Sequence, residues 1–244
     1  MDFNLDDIDR VGTVLTVWAH PDDETFLAGG LIAAVAASGQ RIACVTATSG
    51  ERGTPDPVRN PPHLLAATRR QELTAALETL GVEEHLLLDA PDGGCACLHE
   101  NAPIDRLVRY LELVEPDTVV TFGPDGVTGH SDHIAVSRWV DLALEAADIP
   151  TPRLLHVTQT AERVIEFADV DEALGVYMDR EQAPVVTPRE QLAAELVLTP
   201  ALLERKMAAL RAHWSQTESM FDLLGAEGVA SWLGVECFVD GNDR

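Results

Sequence analysis

Positive charge is what this chain most lacks. Against 41 acidic residues stand only 17 basic ones, a formal net charge of −24, and a single lysine, Lys206, occurs among the arginines. So negative a surface repels nucleic acid and anionic lipid, which both bind through a positive face and the release of counterions. A small local pocket for an anion is all that this balance leaves open. The shortage of lysine is a mark of GC-rich coding and carries no chemistry. Long apolar runs are missing too: none approaches the ~20 residues that span a bilayer. The N-terminal Met1-Asp-Phe-Asn-Leu-Asp-Asp is acidic where a signal peptide would be basic, so the expected compartment is the cytoplasm. The four cysteines, Cys44, Cys95, Cys97 and Cys237, contain no C-x-x-C pair, which speaks against a thiolate zinc site. Cys44 and Cys237 lie in strand-like apolar runs and read as small core residues. No G-x-G-x-x-G follows the first such run, and the acids found there would repel a pyrophosphate, so a nucleotide-binding module is disfavoured.

What is present is the composition of a folded globular chain: 244 residues, 46% hydrophobic and 24% charged, enough for one α/β domain with a substantial core. Apolar runs of strand length alternate with helical periodicity through the first two-thirds. The pattern predicts strands over Val11–Ala19, Arg41–Ala47, His85–Asp89 and Thr118–Phe122. Helices are predicted over Phe26–Ser38, Leu64–Leu80, Ile104–Val114 and Ile134–Ala146, the first two ended by Gly39 and Gly81. This βαβα order implies a Rossmann-like, doubly wound, mostly parallel sheet with helices on both faces and right-handed crossovers. Beyond residue 150 the rhythm loosens. Arg153–Thr158 and Glu195–Leu198 read as strands, Leu202–Arg211 as a helix and Pro184–Glu190 as a loop. With no repeat, low-complexity tract or linker, residues 1–244 read as a single domain.

Such sheets bind ligands at the carboxyl ends of their strands, and the polar clusters fall there. His20-Pro21-Asp22-Asp23-Glu24 follows the first strand, Thr48–Gly53 the second, Asp92-Gly-Gly the third and Gly129-His130-Ser-Asp132-His133 the fourth. The first cluster stacks an imidazole and three carboxylates where a buried strand ends, a charge density that a divalent cation would relieve. The plainer alternative is that Asp22–Glu24 cap the next helix. An isolated H-x-x-H is a weak signal, but it gains weight on the same rim as His20. His20, Asp23 and His133 would make a two-histidine, one-carboxylate centre with positions open to water and substrate. Nitrogen and oxygen donors without thiolate suit Zn2+, with Fe2+ or another divalent transition ion as the alternative. Asp22 cannot easily point the same way as its neighbour Asp23 and is better used as a general base. His130, hydrogen-bonded to Asp132, could stay cationic and stabilise or protonate the developing charge. The Pro-rich Thr54–Pro62 loop beside this rim is a candidate lid.

His-Pro-Asp-Asp-Glu after the first strand and Gly-His-x-Asp-His after the fourth resemble the LmbE-like, or PIG-L, N-acetylglucosaminyl deacetylase family. Thr48-Ser-Gly-Glu51-Arg-Gly53 is similar to a further family segment. So are Arg69-Arg-Gln-Glu72-Leu73 with Leu80-Gly81-Val82, and Lys206 with His213-Trp-Ser215-Gln216. The resemblance implies zinc ligands His20, Asp23 and His133, with Asp22 as base. It makes His130 the electrophilic or acid partner, Asp132 the group that orients it, and Arg69 a contact to a sugar hydroxyl or phosphate. Glu51 and Asp92 are further candidate substrate-binding residues, each with a simpler reading as a turn residue. His63, His85, His99 and His156 receive no role. Mycothiol-pathway members carry a tyrosine two residues before the first histidine of the second motif; this chain has Thr128 there, so no phenol assists the oxyanion. The expected activity is that of a metal-dependent hydrolase cleaving a linear amide C–N bond. It would remove an N-acyl group, N-acetyl foremost, from a small amino sugar or sugar conjugate. A metal-dependent amidase acting on a thiol conjugate or another small N-acyl compound is the alternative, and the full ligand set disfavours a binding protein without turnover. No nucleic-acid or membrane partner is expected. Family members are often multimeric, which leaves a homo-oligomer open.

Overall fold

Val14–Trp18, the centre of the first apolar run, forms a strand buried along its whole length, as a strand covered on both faces must be. The computed structural model describes residues 8, 10–54, 56–98, 101–178 and 183–242; the acidic start Met1–Asp7, Pro55 of the candidate lid and His99 lie outside them. Seven strands are found among the described residues: β1 (Val14–Trp18), β2 (Ile42–Thr48), β3 (Glu84–Ala90), β4 (Thr118–Phe122), β5 (Arg153–Thr158), β6 (Ala194–Val197) and β7 (Val235–Asp240). They form one sheet in the order β3-β2-β1-β4-β5-β7-β6. The first five are mutually parallel, and β7 runs antiparallel to both β5 and β6.

This order places the site. From β1 the chain steps outward to β2 and β3, then returns to lay β4 and β5 on the other side of β1. A crevice opens where that direction reverses, at the carboxyl ends of β1 and β4, which is where open α/β sheets bind ligands. The segments that leave these two strands carry His20–Glu24 and His130–His133. Beneath them Trp18 and Phe122 meet edge to face at 5.2 Å, a rigid aromatic floor.

The helices are α1 (Asp23–Ala37), α2 (Pro62–Leu80), α3 (Asn101–Val114), α4 (Ser131–Ala146), α5 (Ala161–Glu166), α6 (Ala168–Leu174), α7 (Pro200–Ala212) and α8 (Trp214–Leu233). α1 and α2 pack with α7, and α3 packs with α4, the two groups lying on opposite faces as right-handed crossovers require. β1 to β5 and α1 to α4 fall within three residues of the predicted bounds. α5, α6 and α8 have no counterpart in the prediction. The first two are short, and α8 is broken at Gly225 (φ 67°), which interrupts any helical period.

α1 is also broken, at Ala28 (φ −144°, ψ 16°). The break frees the amides of Gly30 and Leu31, and the Glu236 carboxylate from β7 accepts both, at 2.7 and 2.8 Å. An anion suits amides left open at a helix start. Lys206 donates to the same carboxylate at 2.8 Å, with both side chains almost fully buried. The chain's single lysine therefore serves the fold.

Candidate functional site

Asp22 and Asp23 diverge because the backbone turns between them. Asp23 is the first residue of α1, whereas Asp22 holds φ 114°, ψ −30° and makes no side-chain cap. A positive φ is costly for a non-glycine residue and persists only where surroundings enforce it. Here the enforcing contacts are the Asp22 amide donating to Glu24 (3.0 Å) and the amides of Thr25 and Phe26 donating to the Asp22 carbonyl (2.9 Å each). Simple helix capping is thereby excluded as the use of the Asp22 carboxylate.

Asp23 turns inward between two imidazoles. His20 Nδ1 lies 3.3 Å from one of its oxygens and His133 Nε2 lies 3.3 Å from the other. The two histidine nitrogens are also 3.3 Å apart. Donors held ~2.0–2.2 Å from one ion at tetrahedral angles are separated by about 3.3–3.6 Å. The two histidine nitrogens meet that spacing directly, and Asp23 meets it with a different oxygen toward each ring. The ring centroids of His20 and His133, contributed by segments more than a hundred residues apart, are separated by 5.2 Å.

Each ligand candidate is braced from behind. His133 Nδ1 donates to the Gly126 carbonyl at 3.0 Å, leaving Nε2 as the free lone pair, and the Phe122 ring stacks on the imidazole at 4.1 Å. Gly126 is needed there: at φ 70°, a Cβ would sit 2.9 Å from that of His133. Thr128 Oγ1 lies 3.3 Å from the same Nδ1. The Nε2 edge of His20 lies between Asp92 (3.3 Å) and Asp132 (3.4 Å). Burial opposes a charge on His20, but the carboxylates of Asp132, Asp23 and Asp92 outweigh it and hold its pKa well above the ordinary value. Burial likewise opposes ionisation of Asp23, and His133 and His20 overcome it, pulling its pKa well down. The pocket is thus a sink for positive charge.

Among the described residues, two groupings offer one donor atom per residue within metal-binding reach of each other, His20 with His130 and His133, and His20 with Asp92 and Asp132. Carboxylates in these groupings accept backbone hydrogen bonds, as Asp23 itself does from the His20 amide at 2.7 Å. Asp132 accepts from the amides of Gly93 (2.7 Å) and Cys95 (3.1 Å), and Asp92 from that of Arg52 (2.7 Å). His130 Nδ1 accepts from the amide of Asp132 at 3.1 Å as the N-cap of α4. His20 Nδ1 and His133 Nε2 face each other across the two oxygens of Asp23.

Several expected roles change in three dimensions. Asp132 does not orient the His130 ring with its carboxylate; it faces His20, and only its backbone amide meets His130. Burial first, then His20 and His133, lowers the His130 pKa, and its Nδ1 accepts a proton rather than carrying one. The ring is neutral, not cationic. Arg69 is buried, donating to the carbonyls of Pro21 (2.5 Å) and Gly50 (2.9 Å) and to the Asp22 carboxylate (2.9 Å). It holds the base candidate. Gly50 makes room for it, since a Cβ there would come 2.2 Å from the guanidinium. Burial outweighs Arg69 and pushes the Asp22 pKa up to about 6. Asp92 lies against His20, and Glu51 accepts from the Asp92 amide at 3.0 Å, so both side chains brace the turn after β3.

The sequence reading assigned no role to Glu24, Glu72 or Glu236. Glu24, wholly buried, binds His213 (2.8 Å) and Thr25 (2.6 Å) with the oxygen not used by the Asp22 amide. Glu72 binds the amide and hydroxyl of Ser215 at 2.9 and 2.7 Å. For Glu24 and Glu72 the signal was an unassigned glutamate inside an otherwise assigned motif; Glu236 lies in none.

The chain matches the family described as GlcNAc-PI de-N-acetylase (PIG-L) over residues 15–144. It is 31% identical to a 1D-myo-inositol 2-acetamido-2-deoxy-alpha-D-glucopyranoside deacetylase of Saccharomonospora viridis, over 83% of this chain and 84% of the relative. A protein of the same description from Nakamurella multipartita is 33% identical, over 84% and 80%. Among solved structures, N,N'-diacetylchitobiose deacetylase from Pyrococcus horikoshii superposes with TM-score 0.65 at 21% identity, covering 98% of this chain and 87% of that one.

Proposed function

The chain belongs to the PIG-L family, and on that footing we propose that it is a Zn2+-dependent hydrolase removing an N-acyl group from an amino sugar or sugar conjugate. The observation that carries this reading is the approach of His20 Nδ1, His133 Nε2 and the two oxygens of Asp23, 3.3 Å at each contact, at the switch point of the sheet. A divalent cation bound there supplies an acidified water and polarises the amide carbonyl. The donor set of two nitrogens and one carboxylate, without thiolate, favours zinc.

The remaining work falls to the chain. Asp22, held by Arg69 and turned away from Asp23 by its own backbone, takes the proton of the attacking water. A carboxyl whose pKa stands at about 6 is well matched to that task near neutrality. His130 contributes its Nε2–H, as a neutral donor, to the oxyanion that forms on the amide carbon. Asp22 returns its proton to the departing amine, giving a free amino sugar and a carboxylic acid.

Replacing Asp22 by Asn tests the assignment. The variant should retain metal by elemental analysis yet lose about 10²–10⁴-fold in kcat, measured as acid released from N-acyl glucosamines. Near-normal turnover would remove Asp22 from the mechanism.

A further inference from the structure

A cavity of about 440 Å³ opens beside the proposed metal donors, with Asp23 and His133 in its wall. It lies between the first turns of α1, the end of β5, α5, α6 and α8. Phe26, Leu27, Val157, Phe167, Met220 and Trp232 give it a largely hydrocarbon lining. Phe26 and Trp232 meet edge to face at 6.2 Å. Several polar groups nearby are paired, while Gln159 Nε2 is buried with no partner. Arg163 binds Asp171 and lies over the rings of Phe167 and Trp232, 5.6 Å from each. The Tyr177 hydroxyl donates to Gln159 (2.8 Å), and the Trp232 indole donates to Asp171 (2.9 Å).

An acetyl methyl would leave most of this volume empty; cavities of ~300–1,000 Å³ hold whole drug-sized molecules. A polyol is a poorer occupant than a hydrocarbon chain, because the apolar part of the lining offers its hydroxyls no partners and their burial there would be unfavourable. Asp22, His130 and the 49–53 segment are not in this wall, which leaves their side of the donors to the amine half of a sugar amide. An amide with its carbonyl at the donors would therefore direct its acyl chain into the cavity.

We propose that this cavity is an acyl-chain subsite and that the enzyme prefers linear medium-chain N-acyl amino sugars over N-acetyl ones. The proposal rests on the hydrolase reading above and names its substrate class. The reaction itself is unchanged: water adds across the amide C–N bond, releasing a fatty acid and the amine.

The test compares N-acetylglucosamine with N-hexanoylglucosamine in two ways. Turnover is measured with Zn2+ added, and binding to metal-free protein is measured by calorimetry. Each methylene buried should gain about fourfold. With four more methylenes to bury, the hexanoyl compound should thus exceed the acetyl one by about two hundredfold in both kcat/KM and affinity. Val176→Trp, which intrudes from the wall, should bring the hexanoyl-to-acetyl ratio toward one. Tighter hexanoyl binding without turnover of either compound would uphold the subsite while sinking the hydrolase reading. Turnover with equal or lower efficiency for the hexanoyl compound would overturn the subsite alone. Equal or undetectable binding of both compounds without turnover would overturn both.

Discussion

Asp132→Asn separates the ligands from their supports. The carboxylate is fully buried, accepts from the amides of Gly93 and Cys95 at 2.7 and 3.1 Å, and lies 3.4 Å from His20 Nε2. Asparagine keeps the shape but only one acceptor oxygen, so its NH2 group must confront an amide N–H or the Nε2–H of His20. Leaving one such donor unpaired costs about 1–3 kcal/mol of stability. The effect on metal is distinct. Loss of a carboxylate behind a ligating histidine lowers affinity about 10–100-fold, whereas loss of a direct ligand removes about a third of a binding free energy of order 10 kcal/mol, well over a hundredfold. Competition titration of Zn2+ against a chromophoric chelator reads the difference. A loss of 10–100-fold is expected, with Asp23→Asn well beyond it. If Asp132→Asn abolished binding like Asp23→Asn, the ion would sit on the Nε2 side of His20 among Asp92 and Asp132, and the assigned ligand set would be refuted. A change under about twofold would refute the support role instead.

Other consequences are checked more simply. Lys206→Met leaves the buried Glu236 carboxylate without its cation and should cost about 3–5 kcal/mol in urea unfolding; a loss below about 1 kcal/mol would show that the two amides of α1 suffice. The Glu24–His213 pair predicts a pH window. Despite burial, His213 pulls the Glu24 pKa below its ordinary 4.5, so that contribution is complete above pH 4.5 and fades as pH falls through the folded value. Despite burial, Glu24 raises the His213 pKa above 6.5, so the second contribution is complete below pH 6.5 and fades as pH rises through the folded value. The Tm difference between wild type and His213→Gln should therefore be greatest between pH 4.5 and 6.5, and a difference independent of pH would exclude the ion pair. Of the four cysteines only Cys97 is exposed, and burial raises the Cys44 and Cys237 thiols to about 12 and about 11. Thiol titration of native protein at pH 8 should count one fast group, rising to four in denaturant.

The site was legible in type before it was legible in arrangement. Four polar clusters on one rim follow from alternation of strand and helix, because parallel strands buried on both faces must be continuous apolar runs. Roles inferred from nearness in the chain fared less well. His130 and Asp132 look like partners, yet residues two apart on a helix do not face one another; as N-cap and second turn residue of α4, they point to different neighbours. Arg69 has the look of a solvated arginine on an amphipathic helix, and only the approach of the 49–53 turn and the Pro21–Asp22 backbone buries it. Glu236, in a strand read from Cys237 alone, acquires its purpose from a break in α1 that no local pattern announces.

The amino-acid order by itself determined the alternating α/β fold, the rim where chemistry gathers and the kinds of side chain that gather there, since hydrophobic period and residue type are local properties. Tertiary structure alone decided which nitrogen of each histidine faces Asp23, that Asp92 and Asp132 stand behind His20, and that an apolar cavity adjoins the donors. Those are relations between groups far apart along the chain, and they come into being only when the sheet reverses its strand order between β1 and β4.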